Sequence, residues 1–154
     1  MDAADYFAIQ NLLHRYCDCM DRGNLDGVGE IFAHAIVHLP AVDTPFDKDP
    51  VGLANNYKKY VRIYEDGTPR TRHVSTNLII DPDGPNRAKA QSYVMVFQAT
   101  DELPLQPLVA ARYQDTFEKV DGTWRFAERI METDLYGNLS AHMLLDFGPD
   151  TAKK

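Results

Sequence analysis

The sequence predicts an α+β domain in which about three helices close a curved, mostly antiparallel sheet into a cone that encloses a pocket. Three observations predict it. Helical spacing of apolar residues dominates the first part of the chain, and four β-like runs joined by turn-forming residues occupy the later part. Helices first and strands afterwards place the helices over one face of a single sheet. The runs are 12 to 14 residues long, well beyond the usual strand of about five or six, so the sheet must twist and curl.

Each element has its own signal. Between Ala3 and Met20, the apolar positions Phe7, Ile9, Leu12, Leu13, Tyr16 and Met20 recur at three- and four-residue steps, and Gly23-Asn24 ends the pattern. Leu25, Val28, Ile31 and Phe32 repeat the spacing, which predicts a short helix from Leu25 to Phe32 with Asn24 as N-cap. Ala35–Leu39 is a brief apolar strand ahead of Pro40, and Pro45 and Pro50 punctuate the loop beyond it. A third helix fits Val51–Tyr64. The β-like runs follow at Arg70–Asp81, Ala88–Thr100, Leu108–Val120 and Thr123–Tyr136. Asp121-Gly122 between the last two is the strongest hairpin signal in the chain, and Asp83-Gly84-Pro85 and Leu103-Pro104 mark the other reversals.

The 154 residues suit one domain, 1–154, with one core and one site. Apolar residues make up 44% and charged residues 25%, an ordinary globular balance. A formal charge of −7 repels phosphate backbones and anionic membrane surfaces, so nucleic acid is not an expected partner. MDAADYFAIQ lacks the basic and apolar regions of a signal peptide, and no run is long enough to span a membrane as a helix; the expected location is cytoplasmic. Cys17 and Cys19, two apart on a helix, point to different faces and read as unpaired, small hydrophobes.

No phosphate-binding glycine loop, G-x-S-x-G, H-E-x-x-H or paired C-x-x-C occurs. That leaves acid–base chemistry by dispersed side chains. Alternation after Arg70 puts His73, Ser75, Asn77 and Ile79 on one strand face, and Val74, Thr76, Leu78 and Ile80 on an apolar core face. A polar strand face suits either solvent or a lined cavity, and periodicity does not choose. Asp21 stands at the unfavourable, negative end of the first helix, which fits either a functional carboxylate or a turn residue. Tyr16, about a turn and a half earlier, either packs in the core or reaches the same cavity. Arg129 shares a face with Ala127, Met131 and Thr133, opposite Trp124, Phe126, Glu128 and Ile130. It either pairs with Glu118 or Asp115 across the hairpin or offers charge to an anion. His34 and His38 have ligand-like spacing but no obvious third ligand, so no metal is expected. Asp43, Asp47 and Asp49 read as a solvated acidic loop.

Tyr16-x4-Asp21 before a short helix, Arg70-Thr71-Arg72-His73 opening a strand, and Asp121-Gly122-Thr123-Trp124-Arg125-Phe126 starting the last strand together resemble the SnoaL-like superfamily. That group includes scytalone dehydratase, bile-acid 7α-dehydratase, γ-hexachlorocyclohexane dehydrochlorinase and ketosteroid isomerase. The resemblance implies catalytic roles for Asp21 and His73, and for Arg129 by its match to the dehydrochlorinase. It also implies a deep apolar pocket, no metal or organic cofactor, a small apolar cyclic substrate, and frequently a homo-oligomer, dimer or trimer. Tyr16 stands where the dehydrochlorinase has lysine and the dehydratases have tyrosine, which favours loss of water. The run Ala88–Thr100 lacks the extra acid or histidine of the named dehydratases, so their substrates do not carry over. The expected activity is therefore that of a cofactor-independent dehydratase, with Asp21 orienting the base His73, Tyr16 donating to a substrate oxygen and Arg129 stabilising negative charge. The alternatives are a ketosteroid-isomerase-like isomerase, a non-catalytic small-molecule-binding domain and an oxygenase β subunit.

Overall fold

Helix α1 (Ala3–Asp21) begins in a capping box, in which the Asp2 carboxylate accepts from the Asp5 backbone and the Asp5 carboxylate accepts from that of Asp2. The computed structural model describes residues 1–145. Asn24 caps α2 (Leu25–Ile31) as its sequence suggests, accepting from the Gly27 N–H. After the short strand β1 (Ile36–His38) comes β2 (Phe46–Asp47), a two-residue strand with no periodicity by which to foresee it. Asp49 caps α3 (Pro50–Tyr60) through the Gly52 N–H, so this member of the acidic loop has a structural task. The helix stops four residues short of the expected Tyr64. Val61 turns extended and bridges Met143, so tertiary pairing overrides an apolar spacing that would have continued the helix.

The long strands are β3 (Thr71–Pro82), β4 (Arg87–Gln98), β5 (Gln106–Val120) and β6 (Thr123–Tyr136). The six strands form one sheet in the order β2-β1-β6-β5-β4-β3, antiparallel except where β1 lies parallel to β6. This is the α+β architecture expected. Asp121 and Gly122 both take positive φ between the paired residues Val120 and Thr123, the geometry of a tight hairpin. The inner face of the sheet packs Val94, Val96, Phe117 and Phe126 against Ile9, Leu13 and Tyr16 of α1.

Two bulges correct the expected strand faces. In β3 the register moves from Thr76↔Tyr93 to Ile79↔Gln91, with Asn77 at φ 53°. One extra residue reverses the alternation. Thr71, His73 and Ser75 point inward before the bulge, and Leu78 and Ile80 pack on the core after it. Val74, expected in the core with Leu78, is instead 43% exposed. In β6 the register passes from Phe117↔Phe126 to Thr116↔Glu128, which leaves Ala127 as the extra residue. Arg129 therefore lies on the face of Trp124 and Phe126 rather than opposite them, with its guanidinium carbon 4.9 Å from the Phe126 ring.

The turn after α1 brings its C-terminus to the start of β3. Gly23 adopts φ +69° with its Cα against the Gly67 carbonyl, a conformation and a closeness that leave no room for a Cβ. Gly23→Ala is expected to lower stability by about 1–3 kcal/mol, measured as a fall in the urea midpoint.

Candidate active site

Asp21 ends α1 with no basic residue in the last turn to offset the helix dipole. Its partners come from β3. Oδ2 accepts the His73 backbone N–H at 2.8 Å, and Oδ1 accepts the Thr71 hydroxyl at 2.8 Å and the His73 ring Nδ1 at 2.6 Å. Burial pushes the carboxyl up, but the bonds from His73 and Thr71 outweigh it and hold the pKa below the ordinary 3.8. An ionised carboxylate only accepts, so Nδ1 carries a proton, and in the neutral ring the lone pair falls on Nε2. The His73 side chain is 6% exposed and that of Asp21 15%. The pair is enclosed and hydrogen-bonded.

Tyr16 meets His73 edge-on, with ring centroids 6.2 Å apart. Its hydroxyl lies close enough to those of Tyr57 on α3 and Tyr113 on β5 for their ionisations to be coupled. Burial raises the Tyr16 pKa well above 10, so the phenol keeps its proton as a donor, while the charge of Arg129 pulls in the opposite sense.

Of the two partners open to Arg129, register selects Asp115, which lies directly across the hairpin; Glu118 pairs with Arg125. Nε donates to Oδ1 at 2.7 Å and Nη2 to Oδ2 at 2.9 Å, in a pair with neither side chain exposed. Burial works to strip the guanidinium of its proton, yet the Asp115 carboxylate outweighs it and Arg129 stays charged. The guanidinium carbon also lies 4.1 Å from the Tyr113 ring centre and 4.6 Å from that of Tyr16. Arg129 is thus set one layer behind the cavity wall.

His73, Tyr16, Tyr57 and Tyr113 all line a cavity of about 1100 Å³, whose wall also carries Met20 and Met131. One side is closed by residues 137–145, which the sequence runs left without a role. Arg62 N–H donates to His142 O, Leu144 N–H to Tyr60 O, and the Tyr64 hydroxyl to Ala141 O. His142, held in this strap, faces the same cavity.

The expected residues Asp21, His73 and Tyr16 are therefore brought together, and Arg129 lies behind Tyr16. Thr71, Tyr57, Tyr113 and His142 were not foreseen as site residues, while Asp115 was named as a partner open to Arg129. Of those four, Thr71 alone had a signal, because it belongs to the strand-opening motif that contains His73. His38 is taken up by Glu128 at 3.0 Å, and among the described residues no group of three or more His, Cys, Asp or Glu could hold a metal ion. Cys17 is buried, its thiol pushed up to about 11 chiefly by burial, and unreactive for that reason. No described helix is long and apolar enough to cross a membrane.

A family model described as a SnoaL-like domain matches residues 1–130. No curated protein matches the chain. Among solved structures, a Mycobacterium tuberculosis protein of unknown function is similar at 26% identity and a TM-score of 0.69, over 86% of this chain and 78% of that one. A candidate scytalone dehydratase from Novosphingobium aromaticivorans is 21% identical with a TM-score of 0.66, over 86% of this chain and 85% of its own. A candidate aromatic ring hydroxylase from the same organism is 19% identical with a TM-score of 0.70, over 92% and 98%. At the identities of the last two, the likeness establishes the fold.

Proposed function

The chain belongs to the SnoaL-like domain family, and from that premise we propose that it is a cofactor-independent lyase, a dehydratase of a small cyclic or polycyclic apolar compound. The 2.6 Å contact between His73 Nδ1 and Asp21 carries the reading. It leaves Nε2 as the base and places a carboxylate against the imidazolium that forms when the base takes a proton.

Elimination of water asks for a C–H made acidic by a neighbouring carbonyl and a hydroxyl on the next carbon. His73 removes the proton, and the electron pair passes through the enolate to expel the hydroxyl, which takes the proton back from the His73 imidazolium and leaves as water, so the base is regenerated. Tyr16, kept protonated by burial, donates to a substrate oxygen. Arg129 acts as a positioning residue. Its charge against the Tyr16 and Tyr113 rings favours ionised forms of both hydroxyls and so makes them stronger donors.

A domain that only binds its ligand has no use for a buried acid–base pair, nor does an oxygenase β subunit, so the contact weighs against both. An isomerase would use the same dyad to return the proton to another carbon. Product mass separates the two. With bicyclic β-hydroxy ketones as substrates, the expected product is lighter by one water, and Asp21→Asn slows its formation by about 10²- to 10⁴-fold because the tautomer is no longer enforced. A product of unchanged mass makes the protein an isomerase. Full activity in Asp21→Asn sinks the acid–base reading altogether.

A further inference from the structure

His142 is an unexplained expense in this fold. Its Nδ1 is buried with no hydrogen-bond partner among the described residues, a cost that leucine or phenylalanine would not incur. The segment carrying it is not loose: backbone bonds from Arg62 and Leu144 and the Val61–Met143 bridge fix the strap on either side of the ring. The main chain of His142 is fully engaged, its amide donating to Leu139 O and its carbonyl accepting from Arg62. Only the imidazole is left over, and it faces the cavity that His73 faces.

The two histidines feel one another across that space. Burial first, and the nearness of His73 second, push the His142 pKa down to about 4, so the ring is neutral near pH 7. Two imidazoles in one cavity are thereby given different work: one is oriented by a carboxylate toward accepting a proton, and the other has no acid partner at Nδ1 among the described residues. A neutral imidazole offers one N–H. With Nδ1 enclosed by protein, Nε2 is the nitrogen left for the cavity.

We infer that His142 is a second substrate-contacting group, presenting Nε2–H to the carbonyl oxygen of a flat cyclic ketone whose α-carbon lies against His73. As His73 Nε2 takes the α-proton, the C–H electron pair moves into the new C=C bond of the enolate and the carbonyl π pair moves onto oxygen. His142 stabilises that oxygen by a hydrogen bond and keeps its own proton. Tyr16 is then free to serve the departing hydroxyl. The inference rests on the proposed function for the role of His73, but the contact with the ketone oxygen is independent of turnover.

The probe is 2-indanone, a flat bicyclic ketone with acidic α-protons and no leaving group, labelled with ¹³C at the carbonyl for infrared spectroscopy and followed for α-deuterium uptake in D₂O. Bound to the wild-type protein, its carbonyl stretch should fall below its position in an apolar solvent. The shift should persist in His73→Ala, disappear in His142→Phe and return in part in His142→Gln, whose amide restores a donor. Deuterium uptake should drop about a hundredfold or more in His142→Phe. His142→Phe replaces a half-buried ring whose Nδ1 is unpaired with an apolar one of similar shape, and circular dichroism checks that it folds; His142→Gln provides the second test. An unshifted carbonyl in the wild type, no binding of 2-indanone, or a shift that survives in His142→Phe overturns the inference. Undiminished deuterium uptake in His73→Ala, with the shift still dependent on His142, overturns the acid–base role of His73 and leaves the carbonyl contact standing.

Discussion

Alanine in place of His73 is expected to slow turnover by about 10²- to 10⁴-fold while the protein stays folded. The variant removes the base and leaves its surroundings nearly intact. Of the three hydrogen bonds that Asp21 accepts, those from the Thr71 hydroxyl and the residue-73 backbone N–H survive the change, so the carboxylate is not orphaned. The imidazole lines an existing cavity, so its loss enlarges a space that is already open rather than tearing a hole in packed core. Binding should therefore change little, and the loss should fall on kcat rather than KM. Added imidazole should recover part of the rate, because a cavity of about 1100 Å³ has room for the missing ring beside the substrate. If kcat is unchanged, His73 is not the base.

Much of the scaffold was legible because its signals are local. The spacing from Phe7 to Met20, the cap at Asn24 and the Asp121-Gly122 turn each depend on residues a few positions apart. The dyad was legible only as two candidates. Asp21 and His73 are 52 residues apart, and nothing local says that the end of α1 meets the start of β3. The whole-chain resemblance supplied that pairing. Reading faces from alternation failed at Asn77 and Ala127, since a period-two argument assumes an unbroken strand and one bulged residue reverses it. The reversal in β6 decides how Arg129 works, by placing its guanidinium among aromatic rings. His142 escaped because it lies in an irregular strap with no periodicity, its position set by contacts to residues some 80 positions earlier.

Arg129→Met is expected to cost about 3–5 kcal/mol of stability. The side chain is 0% exposed, and its loss leaves the Asp115 carboxylate buried without its partner. Asp115→Leu should cost a similar amount by stranding the guanidinium among Tyr16, Phe32, Tyr113 and Phe126, whose ring faces attract the cation but cannot replace two charge-assisted hydrogen bonds. The double variant tells the two roles of the pair apart. Removing both charges ends the desolvation cost along with the attraction, so Arg129→Met/Asp115→Leu should regain most of the stability lost by either single variant. Turnover should not return with it. The tyrosine hydroxyls would still be buried, and no cation would stand behind them to strengthen their donation. Urea unfolding of the four proteins measures the first effect, and kcat of the refolded double variant measures the second. Full activity in the double variant would make the pair a structural filler. Stability restored without activity would make Arg129 the positioning residue behind the tyrosines, acting on the substrate through Tyr16 without touching it.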